Sequence, residues 1–310
     1  MFTKICNRTQ NAIKYVCIAD TTYVLLLYCL SKTMEEIEST LFVVGIKFPK
    51  NILSKLPNSI ILEVDLGNNV VDLCMNICKE RKLLFEKYPF IKECPLYGLD
   101  HITKSYVLLN HRKMVVIEDG YGLYNPPGCK QTLISKVVKN VLGIPLNTFG
   151  RGNHCDSIIY TGLMPYHNNG KKLIKIDVQQ ELCRDKEREI FIYNLYDICK
   201  EDIDIFQSKD IIIITQPIED LGDYSDEDKF RIYGRCLESC DHSKVIIKTH
   251  PRDKANYKSI FPDVEVYSKP VPLEILSILS GNFKKAYTHS STAIFSMPET
   301  IEKIFIKDWL

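Results

Sequence analysis

The sequence predicts an α/β protein of two Rossmann-like domains facing a cleft, and three observations predict it. Short apolar or β-branched runs alternate with amphipathic stretches from end to end, the signature of parallel strands covered on both faces by helices. The length, 310 residues, suits two domains of about 150 each. No repeat of solenoid period and no low-complexity tract interrupts the alternation.

In the first half, residues 14–20, 40–45, 59–65 and 113–118 read as buried strands, with helical periodicity across 22–32 and 70–87. In the second half the expected strands are 210–215, 244–248, 264–267, 285–288 and 303–307. Helices are expected over 226–239, 273–279 and 292–297. The polar segment 200–209, after a helix-like 185–200, is the expected linker, dividing the chain into 1–205 and 206–310. Doubly wound domains bind ligands outside the carboxyl ends of their strands, so chemistry is expected in the loops that follow strands.

Composition removes several classes of function. With 40 basic and 39 acidic side chains the net charge is +1, and the lysines are scattered. Nucleic-acid binding, which needs a concentrated basic face, is not expected. The first ten residues are polar and carry no secretory signal, and the most apolar early run, 23–30, is far shorter than the ~20 residues that span a bilayer. A cytoplasmic protein follows, touching a membrane at most peripherally. Of the twelve cysteines, Cys74/Cys78 and Cys236/Cys240 have helical i, i+4 spacing, but no second ligand pair stands at zinc-site distance in sequence. They read as small buried hydrophobes in a reducing compartment. His154, Cys155 and Asp156 form no local triad, because neighbours on an extended segment point to opposite faces.

Five strand-end loops hold the polar residues that could do chemistry. Glu118-Asp119-Gly120 delivers an acidic pair where a glycine lets the chain turn, although a solvated Asp-Gly turn would look the same. In Lys248-Thr249-His250-Pro251-Arg252-Asp253, proline restrains a histidine flanked by cations, an arrangement that suits a phosphate. Thr288-His289-Ser290-Ser291-Thr292 runs from strand to helix. One cap needs a single hydroxyl, so three in a row favour an anion at the helix start. Pro270-Val271-Pro272-Leu273-Glu274 puts a carboxylate in a first helical turn, where it can accept from ribose hydroxyls or favour the helix dipole. Thr215-Gln216-Pro217 leads into an acidic loop with Glu219, Asp220, Asp223, Asp226, Glu227 and Asp228. Ser225 and Asp228 there also make a capping pair.

Taken in this order, one per strand end, the Glu-Asp-Gly, His-Pro and Ser-Ser-Thr elements resemble bacterial sialyltransferases of the GT-B kind. From residues 211–217 through 248–253 to 289–292 the chain is similar to the lipooligosaccharide sialyltransferases of glycosyltransferase family 52. The resemblance implies an inverting transfer of sialic acid from CMP-sialic acid to a galactose-terminated surface glycan, with no metal and no cofactor. It assigns 1–205 to the acceptor and 206–310 to the nucleotide. By the same carry-over, His250 contacts the CMP phosphate and helps the nucleotide leave. Ser290 and Ser291, with Thr292, hold the phosphate or the sialic acid carboxylate. Glu274 holds the ribose, Pro217 lies near the cytosine, and Lys248 and Pro251 complete the donor side. Two carboxylates compete as base: Asp119, and an acid about twenty residues before His-Pro, for which Asp228 fits better than Asp223. The resemblance also implies a homodimer, while any contact with the inner membrane is expected to be peripheral. Rival readings are a nucleotide-diphosphate-hexose transferase of lipopolysaccharide, a capsule polysialyltransferase and a degenerate nucleotide-binding regulator. Donor turnover with CMP-sialic acid against UDP-hexoses separates the first, and acceptor chain growth on gels the second. The third would not need to retain Asp119, His250 and the serines together.

Overall fold

A computed structural model describes residues 4–6, 12–126, 132–166, 170–218, 225–238 and 240–306. The chain divides into two compact units, Met1–Leu195 and Tyr196–Leu310.

Unit 1 begins with β1 (Lys4–Cys6), β2 (Tyr15–Ile18), α1 (Thr22–Leu30), α2 (Met34–Glu38), β3 (Thr40–Val44), α3 (Lys50–Leu53) and β4 (Asn58–Ile61). It continues through α4 (Val70–Lys87), β5 (Leu96–Gly98), α5 (Thr103–Leu109), β6 (Met114–Ile117), α6 (Tyr121–Tyr124) and α7 (Leu133–Val141). β7 (Cys155–Tyr160), β8 (Lys172–Lys175), α8 (Val178–Arg184) and α9 (Lys186–Leu195) complete it. The sheet order is β1-β4-β3-β2-β5-β6-β7-β8, parallel except for β1, which pairs antiparallel with β4. The order therefore reverses between β2 and β5, as it does in a doubly wound nucleotide-binding fold. At that junction Gly98 adopts φ +118°, and a Cβ there would lie 2.1 Å from Ile18 O. Only glycine lets β5 approach β2 so closely.

The eight-residue apolar run lies inside α1, whose residues Val24 to Leu30 are all buried. A helix apolar all round belongs in a core. No helix among the described residues is long and apolar enough to cross a membrane.

Unit 2 comprises α10 (Lys200–Gln207), β9 (Ile211–Ile214), α11 (Asp226–Leu237), β10 (Val245–Lys248) and α12 (Tyr257–Ile260). After these come β11 (Glu265–Tyr267), α13 (Leu273–Ser280), β12 (Lys285–Thr288) and β13 (Glu302–Phe305). Its sheet is wholly parallel, in the order β11-β10-β9-β12-β13. In order of appearance this is 3-2-1-4-5, so the reversal falls between β9 and β12. β9 is four consecutive isoleucines, as a strand covered on both faces requires.

Two expectations need correction. The 200–209 segment is no linker but the helix α10, and the units divide at Leu195/Tyr196. Phe206 is buried edge-on against Tyr267 at 4.8 Å, and Asp202 both caps the helix through Cys199 N and pairs with Lys269. The acidic residues mask an amphipathic helix. Residues 292–296 form a five-residue 3-10 helix rather than an α-helix, ended by Pro298. So short a helix supplies little dipole, which weakens that part of the anion argument.

Candidate functional site

In unit 2 the candidate loops after β10 and β12 both meet the end of β9, beside the strand reversal. β9 and β10 run in register, Ile214 beside Lys248, so Thr215 lies next to the His-Pro loop. Thr215 Oγ1 accepts from His250 N at 3.2 Å and donates to Asp253 Oδ2 at 2.7 Å. The Asp253 carboxylate also accepts from Tyr257 OH at 2.7 Å, Ala255 N at 3.1 Å and Lys229 Nζ at 3.1 Å. Both side chains of the Lys229–Asp253 pair are fully buried. Asp253 N donates to His250 O at 2.9 Å, closing a turn with Pro251 at its second position. The loop is therefore rigid, anchored from beneath by a residue that the sequence shows only as the last of the motif.

Arg252 N donates to His250 Nδ1 at 3.1 Å. That bond requires a bare Nδ1, so the neutral ring carries its proton on Nε2. A full imidazolium would lose this bond.

Lys248 does not join His250 in the loop. It is 5% exposed, and its Nζ donates to Thr249 O at 2.8 Å and lies 5.9 Å from the centre of the Tyr267 ring. Burial lowers its pKa to about 8. An ammonium so enclosed supports the strand end through the Thr249 carbonyl.

Across the reversal, Ser290 Oγ donates to Gln216 Oε1 at 2.6 Å, and His289 Nδ1 lies 3.1 Å from Ser290 Oγ. Of the three hydroxyl residues Ser290 is exposed, Thr292 half-buried and Ser291 buried. Ser291 N donates to Thr288 Oγ1, and its side chain makes no capping bond to the 3-10 helix. Pro217 is buried after Gln216, and Glu274 is buried in the first turn of α13.

In unit 1 the acidic pair splits into two roles. Glu118 is fully buried, and accepts from Thr161 N at 2.6 Å, Thr161 Oγ1 at 2.9 Å, Tyr23 OH at 3.0 Å and Tyr124 OH at 3.0 Å. Burial pushes its carboxyl above the ordinary range despite these four donors. It ties β6 to α1, α6 and the end of β7. Asp119 stands on the other side of the turn, 24% exposed, and Gly120 at φ +66° makes that turn, as its sequence position suggests. Asp119 Oδ1 accepts from Thr21 Oγ1 at 3.2 Å, and Oδ2 lies 3.4 Å from His101 Nε2.

Two residues outside the five strand-end loops complete this cluster. His101 stacks on Phe149, with centroids 4.1 Å apart, and its Nδ1 is 3.8 Å from Asp100 Oδ1. Asp100 is buried and accepts from Phe149 N at 2.7 Å, Gly150 N at 2.9 Å and His154 Nε2 at 3.0 Å. Burial alone would lower the His101 pKa, but the carboxylates of Asp100 and Asp119 outweigh it and raise it to about 9. Burial would likewise raise Asp100, yet bonds from both histidines and Gly150 hold it at about 2. The available signal in the sequence is positional, Asp100-His101 closely following a strand-ending glycine. The strand itself, three residues after Pro95, is too short to read. His154 turns to Asp100, not to Asp156, which is exposed beside Lys113.

Asp228 occupies the capping place. Its Oδ2 accepts from Ser225 N at 3.1 Å and Ser225 Oγ at 2.8 Å, and its Oδ1 accepts from Arg231 at 2.8 Å. The backbone and side-chain bonds from Ser225 hold its pKa below the usual value. Glu219, Asp220 and Asp223 lie outside the described residues. Of the paired cysteines, Cys74 and Cys236 are buried as expected, whereas Cys78 is exposed and Cys240 half-buried. Among the described residues no group of three or more His, Cys, Asp or Glu side chains is gathered as a metal site.

The profile of glycosyltransferase family 52 matches residues 76–307. A Haemophilus influenzae protein, described as uncharacterized, is 27% identical over 298 residues, 92% of each chain. Among solved structures, the GT-B domain of a Photobacterium damselae sialyltransferase superposes with TM-score 0.55 at 12% identity, covering 94% of this chain and 89% of that one. An α/β-galactoside α-2,3-sialyltransferase of Photobacterium phosphoreum gives 0.51 at 11% identity, over 93% and 88%. These two likenesses establish the fold, the two-Rossmann-domain GT-B architecture.

Proposed function

Because the chain belongs to glycosyltransferase family 52, we propose that this glycosyltransferase is an inverting sialyltransferase, moving sialic acid from CMP-sialic acid to a galactose-terminated surface glycan. The observation that carries the reading is the strand reversal of unit 2, where a rigid loop fixes His250 with its neutral-form proton on Nε2 and Ser290 bonds to Gln216. Two solved structures that share the fold are sialyltransferases, one of them an α/β-galactoside sialyltransferase, which supports the same donor and acceptor class.

In this reading the acceptor hydroxyl attacks the anomeric carbon of sialic acid as the bond to the CMP phosphate breaks. Asp119 takes the hydroxyl proton. His250 Nε2–H and Ser290 stabilise the charge that develops on the departing phosphate, and such preorganised donors supply much of the transition-state stabilisation in many transfers. Glu274 serves the ribose, and Pro217 borders the base. Since no step calls on a metal, transfer should survive EDTA.

The test is product formation from CMP-sialic acid with lactose and N-acetyllactosamine acceptors, run beside UDP-hexose donors, with the anomeric configuration read by NMR. Sialylated product of inverted configuration supports the assignment. Turnover of a UDP-hexose alone would replace it with a hexosyltransferase.

A further inference from the structure

The cluster behind Asp119 is more elaborate than a turn needs. A carboxylate on a strand-end loop can rotate about two side-chain bonds, whereas a general base must hold one oxygen within ~3 Å of the hydroxyl it serves. Here each oxygen has its own neighbour, Thr21 Oγ1 on Oδ1 at 3.2 Å and His101 Nε2 by Oδ2 at 3.4 Å. His101 is itself held twice: its ring stacks on Phe149 and its Nδ1 looks toward Asp100.

Phe149 is the joint. Its ring packs on His101 while its amide, with that of Gly150, grips Asp100. To turn two consecutive amides onto one carboxylate the backbone takes φ +56° at Phe149 and +73° at Gly150. A bulky aromatic residue in that region is strained, and the strain is maintained only where surrounding contacts enforce it. Another neighbour of the ring is Gly122, two residues past the Glu-Asp-Gly turn, where a Cβ would lie 2.5 Å from Phe149 Cε1. The segment following Asp119 thus closes on the same ring that seats His101.

We propose that His101 is the positioning residue of the acceptor base, a clamp that runs from the Phe149–Gly150 amides through Asp100 and the imidazole to Asp119 Oδ2. The proposal rests on the reading of Asp119 as the base. Among the described residues the charged or titratable groups that face the imidazole are Asp100 after β5 and Asp119 after β6, with His154 behind Asp100; Thr21 and Phe149 contribute no charge. Each ring nitrogen faces a carboxylate, so the imidazolium is the form that is attracted to both, and the clamp weakens as pH rises through about 9.

Two substitutions separate the functions of the ring. His101→Phe retains the stack on Phe149 without either N–H, and His101→Gln restores a non-titrating donor toward Asp119. Expected for His101→Phe is a kcat for transfer ~10–100-fold lower, as loss of orientation produces, with both KM values and CMP affinity within about threefold. His101→Gln should recover roughly tenfold of that loss and lack the alkaline fall near pH 9 expected of the parent. A His101→Phe kcat within about threefold of the parent, or an unchanged alkaline limb in His101→Gln, overturns the clamp. Failure of the underlying reading looks different: Asp119→Asn would transfer normally. In that event the clamp is still decided by NMR titration of His101. Its midpoint, near 9 in the parent, falls in Asp119→Asn if the contact is real and stays put if it is not.

Discussion

Ser290 Oγ donates to Gln216 Oε1 across 2.6 Å, joining the chain that leaves β12 to the chain that leaves β9 where the strand order of unit 2 reverses. Seventy-four residues of sequence separate the two. Ser290→Ala should weaken CMP binding by calorimetry about 10–100-fold, since hydrogen bonds to charged groups contribute ~1.5–3 kcal/mol. Ser291→Ala alone should change little, because that side chain is buried. Unchanged affinity in Ser290→Ala would leave the Ser290–Gln216 bond as a simple tie between strand ends.

His250→Ala should fold normally and lose about two to four orders of magnitude in transfer. The bond from Arg252 N to Nδ1 makes a finer distinction available. Glutamine places a non-titrating N–H near the position of Nε2. If His250 acts as a hydrogen-bond donor to phosphate, His250→Gln retains activity well above alanine. Equal loss in both variants would mean that a proton is transferred outright.

Asp119→Asn should abolish transfer while CMP affinity persists. Asp228→Asn should mainly lower the unfolding midpoint, because both oxygens are engaged by Ser225 and Arg231 at the start of α11. A dead Asp228→Asn or Asp223→Asn beside an active Asp119→Asn would move the base into unit 2.

Asp253→Ala should cost about 3–5 kcal/mol in denaturant unfolding, since it breaks a buried ion pair and removes the acceptor shared by Thr215, Tyr257 and Ala255. Transfer should fall as well, because Thr215 links Asp253 to the backbone of His250. Full stability in this variant would show that the pair is replaceable by water.

What the sequence determined by itself is local in origin. Apolar runs and helical periodicity mark β12 and α4 to the residue, and the glycine after Glu118-Asp119 marks its turn, because strand, helix and turn preferences are set within a few residues. The His-Pro and triple-hydroxyl loops were legible for the same reason. Short or half-exposed strands such as β5 and β8 are not, and α10 reads as a linker because its acidic face outnumbers the buried Phe206. Tertiary structure alone decided which strand ends become neighbours. Parallel strands of isoleucine and valine carry no label for their partners, and the crossovers that order them are non-local. Only that order brings Gln216 to Ser290, turns Lys248 inward and sets His101, eighteen residues before Asp119 in sequence, against its carboxylate.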